Sequence, residues 1–407
     1  MGMIVIENAR LCDPGADTVA EGSLLIDGAV IAAVNPSTVP ADAERIDAGG
    51  LVVTPGIIDM GVFKTDKPAF HFGGITRAAL MPDTSPVLDD PGLVQHAGRG
   101  GKPDFWVHPL AAATRGLAGK DLAEIAMMKA AGARGVATGR AAIADAGVML
   151  RVLRYAAALD LIVVTHAEDS GLTAGTIATE GETATRLGLP AAPPCAEAIA
   201  ILRDIALARV SGARVHFRLV TTAEGFAQIR AAKAEGLPIS CGTSPAYLFL
   251  NDSAVSDFRT FARLSPPLRS DNDRVATIAA VADGTVDVIT SSHDPRGPED
   301  KRQPFEDAAP GMAGAETLLA LSLNLVREGH VTLSQLMRLL SANPARLLGL
   351  DAGTLAAGAP ADIIFIDPET PWRIDSRKMA AAAGNTPFDG IPVQGRVRRV
   401  MKGGIFY

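Results

Sequence analysis

The sequence predicts an α/β protein, with a (β/α)8 barrel in the middle of the chain and a small β domain assembled from its two ends. Three observations lead there. Between residues 54 and 345 eight short apolar runs alternate with amphipathic helical patterns, the signature of parallel strands joined by crossover helices. The Gly-rich phosphate turn that an open doubly wound sheet would show early on is missing. Both ends of the chain are instead rich in strand-like runs and turns, without helical periodicity.

In order, Met3–Ile6, Ser23–Ile26 and Ala29–Val34 are apolar runs, and Asp27-Gly28 between the last two is a strong hairpin turn. At the other end, Asp362–Asp367, Gly395–Met401 and Gly404–Tyr407 read as strands, with a turn at Lys402-Gly403-Gly404. The middle offers strands at Ile57–Val62, Ile75–Met81, Asp104–Leu110, Gly135–Thr138, Leu161–Thr165, Ala213–Val220, Pro238–Cys241 and Val286–Thr290. Helical patterns lie at Lys120–Ala131, Ala144–Leu159, Ala196–Val210, Ala223–Glu235, Ser270–Val281, Ala315–Arg327 and Leu333–Leu340. Expected domains are therefore 1–53 with 346–407 for the β unit, and 54–345 for the barrel. Alanine is abundant mainly in the helical segments, as its propensity favours.

With 407 residues, 48% of them apolar and 20% charged, the chain can fill a large core. A net charge of −7 argues against nucleic acid or an anionic membrane surface as the main partner. The basic cluster Arg396–Lys402 alternates with valine, which suits an edge strand with a solvated face better than a phosphate site. Three cysteines, Cys12, Cys195 and Cys241, are far apart and form no C-x-x-C, so a reducing, cytoplasmic setting is expected. No leader pattern opens the chain, and no apolar run approaches the roughly 18 residues of a membrane span.

The most informative stretch is Leu51–Asp66, LVVTPGIIDMGVFKTD: an apolar strand, a Pro-Gly break, a second apolar run and an acid. Its core, Thr54–Asp59 (TPGIID), is followed by Met81–Pro86 (MPDTSP), Asp145–Met149 (DAGVM), Thr165–Asp169 (THAED) and Leu187–Pro190 (LGLP). Then come Pro266–Ser270 (PPLRS), Gln303–Glu306 (QPFE), Ser341–Leu350 (SANPARLLGL) and Asn385–Phe388 (NTPF). In this order and at these intervals the chain resembles dihydroorotase of the amidohydrolase superfamily over nearly its full length. The resemblance implies a barrel with a β-sandwich built from both termini, and in active relatives a divalent metal, usually zinc, that polarises an amide carbonyl and activates water.

The ligand places implied by the resemblance are mostly changed. The two histidines of the first strand's Asp-x-His-x-His fall on Gly61 and Phe63, after Asp59. The bridging residue of the fourth strand falls on Thr138 or Gly139, the sixth-strand histidine on Leu219 and the eighth-strand Asp on Ser292; only His166, on the fifth strand, is kept. Gly, Phe and Leu offer no lone pair, and neutral hydroxyls are poor ligands beside imidazole or carboxylate. The substrate side departs as well: the family's Arg, Asn, Asn and His places hold Thr65, Asp83, Ser265 and Arg296. No metal and no conventional catalytic residue is therefore expected.

The individual residues carry alternatives. His166 is either a packing or polar-contact residue or part of a rebuilt site with His293 and Asp294, although adjacent residues in an extended segment face opposite ways. Cys241 is a buried hydrophobe or, if it faces the barrel mouth, a nucleophile. Phe63 and Leu219 would each bury apolar surface worth about 1.5–3 kcal/mol, filling a former metal pocket. Asp59 reads as a structural carboxylate. Arg269 and Arg296 are candidate anion anchors, with loop ion pairing equally open to Arg269.

The expected function is a non-catalytic dihydroorotase-like subunit, similar in class to the inactive chains that assemble with aspartate carbamoyltransferase in bacterial pyrimidine synthesis, as a homo- or hetero-oligomer. The alternatives are an active dihydroorotase or other cyclic amide hydrolase with an altered site, drawing on His166, Cys241, Asp294 and Arg296, and a sensor of carbamoyl aspartate or dihydroorotate anchored by Arg269 and Arg296.

Overall fold

The computed structural model describes residues 2–407. Eight parallel strands run in the order of the chain: Ile57–Val62, Ile75–Leu80, Trp106–Ala112, Gly135–Ala137, Ile162–Thr165, Val215–Phe217, Ile239–Thr243 and Val288–Ile289. These are the eight runs that the alternation of apolar segments predicts, several of them shortened at the ends. Their interior is filled by Ile58, Met60, Ala79, Leu110, Ile162, Val164 and Val288, and Ala345, Leu347 and Leu348 join the same apolar cluster. The other face of the strands packs on the surrounding helices, through Val107, Val136, Val163, Val215 and Ile289 with Val152, Ile201, Phe226 and Leu336.

Helix ends follow local chemistry. Asp145 accepts from Val148 N to start Ala146–Ala158, and Ser270 accepts from Asp273 N to start Asp271–Ala282. At Leu333–Met337, Thr332 and Gln335 form a reciprocal capping box. The expected helix at Lys120–Ala131 is only Ile125–Ala130, because Thr114 and Leu122 pair in a β-bridge that holds the preceding segment out of the helix.

The termini build one mixed sheet of eight strands, with Val52–Pro55 at its centre between Met3–Asp13 and Ile363–Arg373. The sheet curls over a single core in which Ile6, Leu24, Ile31 and Val53 meet Ile363, Phe365 and Met401. Thr18–Asp27 and Val30–Val34 form the expected hairpin around Gly28. Gly404 is required at the second turn: its φ is +77°, and a Cβ there would lie 1.8 Å from the Gly28 carbonyl oxygen. The Arg396–Lys402 cluster lies in Pro392–Lys402, next to the edge strand Ile405–Phe406, with Arg396, Arg398 and Arg399 exposed.

Two buried carboxylates tie the architecture together. Asp362 accepts from Arg77 Nε (2.9 Å) on the second barrel strand and from Lys402 Nζ (2.7 Å) in the terminal sheet. Asp59, fully buried, accepts from Thr290 Oγ1 (2.7 Å), Ser291 N (3.0 Å) and the Ser291 hydroxyl, bridging the first and eighth strands. Phe63 N completes the seam by donating to His293 O at 2.9 Å. Asp59 thus acts as a clasp. No helix among the described residues is long and apolar enough to cross a membrane.

Removing the clasp leaves three buried donors without an acceptor, at about 1–3 kcal/mol for each group left unmet. Asp59→Ala is expected to lower stability by roughly 3–5 kcal/mol in urea unfolding, while Asp59→Asn, which keeps one acceptor, costs less. An alanine variant as stable as the wild type would show that the seam does not depend on this carboxylate.

Candidate functional site

The C-terminal ends of the barrel strands converge on a small cavity of about 70 Å³, bordered by Phe63, Arg140, Arg218, Ser244, Ser292 and Asp294. This is where barrel enzymes place their chemistry. The positions singled out in the sequence can be followed into it one at a time.

Gly61 has a φ of +105°, and a Cβ built on it would lie 3.3 Å from Arg218 Cδ. The backbone conformation and the neighbouring arginine together disfavour any larger residue there. The Phe63 ring is stacked by two guanidinium groups, Arg140 at 3.8 Å and Arg218 at 5.0 Å from the ring centroid. On the fourth strand's end, Thr138 Oγ1 accepts from His166 N at 3.1 Å, while Gly139 (φ +84°) leaves room for Asp83, whose Oδ1 would be 2.8 Å from a Cβ. Leu219 is buried among Tyr247, Leu264 and Met312. Ser292 lines the cavity in a left-handed conformation, φ +50°, and its hydroxyl is buried without a partner.

His166 is joined to a chain of charges. Arg218 Nη2 lies 3.3 Å from His166 Nδ1; arginine only donates, so Nδ1 accepts and the ring proton sits on Nε2. Nε2 is 3.2 Å from Glu168 Oε2, and Glu168 Oε1 accepts from Arg269 Nη2 at 2.7 Å. Arg269 also donates to Thr221 Oγ1 (2.9 Å) and Thr179 Oγ1 (3.0 Å), and its Nη2 lies 3.5 Å from Glu197 Oε2. Burial pushes the Glu168 carboxyl upward, but the His166 hydrogen bond and the Arg269 charge outweigh it and hold it at about 2.

A second group of charges lies on the other side of the cavity. Asp294 Oδ2 accepts from Arg140 Nη1 (2.6 Å) and Arg296 Nη2 (3.0 Å), and Asp83 Oδ1 accepts from Arg140 N (2.9 Å).

These contacts decide several open alternatives. The rebuilt site of His166, His293 and Asp294 is not assembled: His293 Nε2 faces Asp66 at 3.5 Å and its Nδ1 accepts from Ala315 N, while Asp294 turns to the two arginines. Of the two roles open to Arg269, the structure displays ion pairing, since its donors are already met by side chains of the protein. Arg296 is likewise held by Asp294 and by Pro310 O (3.2 Å). Cys241 does not face the mouth; it is fully buried, with its thiol 3.3 Å from Thr285 O, and burial pushes its pKa up.

Arg218, Arg140, Glu168 and Glu197 are the residues that ligand-by-ligand reading of the sequence passes over. A signal for the first existed: Arg218 is a cation in the apolar run VHFRLV, one residue before Leu219.

A model of the amidohydrolase family, described as "Amidohydrolase family", matches residues 108–406. The chain belongs to the amidohydrolase family. Among its relatives, a dihydroorotase from Geobacter sp. (strain M21) is 38% identical over 421 residues, spanning 99% of both chains. One from Syntrophus aciditrophicus (strain SB) is 37% identical, again over 99% of each. The solved structure of an L-hydantoinase (dihydropyrimidinase) from Arthrobacter aurescens is similar to this family member with a TM-score of 0.89 and 26% identity, covering 100% of this chain and 96% of that one.

The resemblance implies a divalent metal, and the donors themselves show whether the residues of this family member suit one. Among the described residues, no group of three or more His, Cys, Asp or Glu side chains is placed to hold a metal ion. The one kept ligand position, His166, has Nδ1 directed at a guanidinium and Nε2 at Glu168. A histidine at position 61 would meet Arg218, and Phe63 presents an apolar ring in contact with two guanidinium groups. This donor set does not fit a divalent cation.

The Glu168 network makes a pH-dependent prediction. With the folded carboxyl near 2 against an ordinary 4.5, its contribution to stability is fully present above about pH 4.5 and is lost as pH falls toward 2. Glu168→Gln is expected to cost about 3 kcal/mol at neutral pH, because it breaks a buried ion pair, and to flatten the stability profile between pH 4.5 and 2. Urea unfolding across that range measures both effects; an unchanged slope in the variant would contradict the assignment.

Proposed function

We propose that this amidohydrolase-family chain is a non-catalytic, dihydroorotase-like subunit of pyrimidine biosynthesis. It works in the cytoplasm without a metal cofactor and supports the assembly or activity of aspartate carbamoyltransferase. The observation that carries the reading is the exchange of charge carriers at the barrel mouth. Where the relatives' metal ligands converge, this chain places a buried arginine, Arg218, against Phe63 and His166. A dication brought there would meet a fixed positive charge and too few donors, at a large desolvation cost.

Loss of chemistry combined with retention of the whole fold favours a role in which the surface matters. The 38% identity across 99% of the chain supports retention of the whole scaffold. The choice of partner rests on the resemblance in class to inactive chains that assemble with the transcarbamoylase.

Two measurements test this reading. Purified protein dialysed against zinc is expected to retain well below one metal per chain and to leave dihydroorotate and carbamoyl aspartate unconverted. Co-expressed with the aspartate carbamoyltransferase of the same cell, it is expected to co-elute in a stable complex. Stoichiometric zinc with turnover would overturn the non-catalytic assignment, and separate elution would overturn the partner.

A further inference from the structure

We propose that the cavity at the barrel mouth is a binding site for a small carboxylate-class oxyanion, such as formate, acetate or bicarbonate, received by Arg218 together with the hydroxyls of Ser244 and Ser292. The argument begins with an incomplete set of hydrogen bonds. Arg218 is only 2% exposed, yet its Nε–H has no acceptor, and Nη2 has only the neutral ring nitrogen His166 Nδ1. A guanidinium carries five N–H donors, and a buried cation without an anionic partner is costly. Burial accordingly depresses the Arg218 pKa, against the pull of Asp83 and Asp294.

Two further groups point to the same place. The Ser244 and Ser292 hydroxyls are buried without partners, and both residues line the cavity with Arg218. Ser292 is held at φ +50°, a conformation that a non-glycine residue adopts at a cost and that occurs often at ligand clamps. Three unsatisfied donors around one space are the complement of an oxyanion with several lone pairs.

The available carboxylates do not fill this role. Asp294 is shared by Arg140 and Arg296, and Asp83 Oδ1 accepts from Arg140 N. Arg140 and Arg296 are thus both paired with Asp294, and Asp83 Oδ2 is buried without a partner, whereas Arg218 makes no hydrogen bond to any carboxylate. A single guanidinium without a carboxylate partner, beside a cavity of about 70 Å³, suits a small monoanion better than a bulky or doubly charged one. Phe63, whose ring lies against two guanidinium groups, adds an apolar contact to the cavity wall. This site does not depend on whether the chain turns over a substrate. Hydrolytic activity can be present or absent while the anion binds.

Calorimetric titration of the full chain with sodium formate, acetate, bicarbonate, phosphate and chloride at matched ionic strength tests the proposal. Saturable binding of formate, acetate or bicarbonate is expected, with phosphate weaker and chloride without a saturable phase. Arg218→Met is expected to weaken the carboxylate by about tenfold or more, the loss of one charged hydrogen bond. If Arg218→Met fails to fold, as judged by circular dichroism, the Ser244→Ala/Ser292→Ala double variant carries the test, with an expected loss of about tenfold. No saturable phase with any carboxylate would mean that water alone fills the cavity, and would overturn the proposal. Phosphate binding more tightly than the carboxylates would overturn the assigned class. Carboxylate binding unchanged in the variants would place it elsewhere and overturn the site.

Discussion

The arrangement of the barrel mouth depends on one buried positive charge, the Arg218 guanidinium. Its aliphatic stem lies against Gly61, which together with that residue's positive φ disfavours a side chain there, and its head lies over Phe63 and beside His166. Because an arginine can only donate, it fixes the His166 tautomer, and the Nε2 proton in turn commits Glu168 to remain a carboxylate. Glu168 then requires Arg269, and Arg269 lies against Glu197, which accepts from the backbone and hydroxyl groups of Thr221 and Thr222. Each link is cheap only while its neighbours are present, as expected where ions are buried together.

The same charge accounts for substitutions that look unrelated along the chain. Gly61 and Phe63 are far from Leu219 in the sequence, and the three differ in chemistry. Together with Arg218 they form a consistent set: glycine makes room for the stem, phenylalanine offers a ring face to the cation, and leucine packs into the apolar cluster around Tyr247 and Leu264. The barrel mouth thus carries a buried positive charge on a side chain. The scaffold around it is held by other means, through Asp59 at the barrel seam and Asp362 between the barrel and the terminal sheet.

The fold was largely legible because it rests on local rules. Short apolar runs and period-3.6 patterns locate all eight barrel strands and most helices, and Asp27-Gly28 and Gly403-Gly404 mark turns that backbone geometry demands. The misread segment at Lys120–Ala131 failed where a non-local bridge between Thr114 and Leu122 overrode helical propensity. The candidate site was legible only as a set of losses. Reading Gly61, Phe63, Leu219 and Ser292 against the family pattern says which donors are gone. It does not say what fills the space, since Arg140 and Arg218 lie far in sequence from the first-strand positions they contact.

By itself the sequence determined the class of fold and the amidohydrolase resemblance, and it named the residues that stand at the implied ligand positions, because these are properties of residue type in a fixed order. Tertiary structure decided what replaced them. Only folding brings Arg218, Phe63 and His166 within contact, turns His293 toward Asp66 and Asp294 toward Arg140, and satisfies Arg269 from within the protein. The physical reason is that the partners of a buried charge are chosen by distance across the barrel, to which no local pattern in the chain gives access.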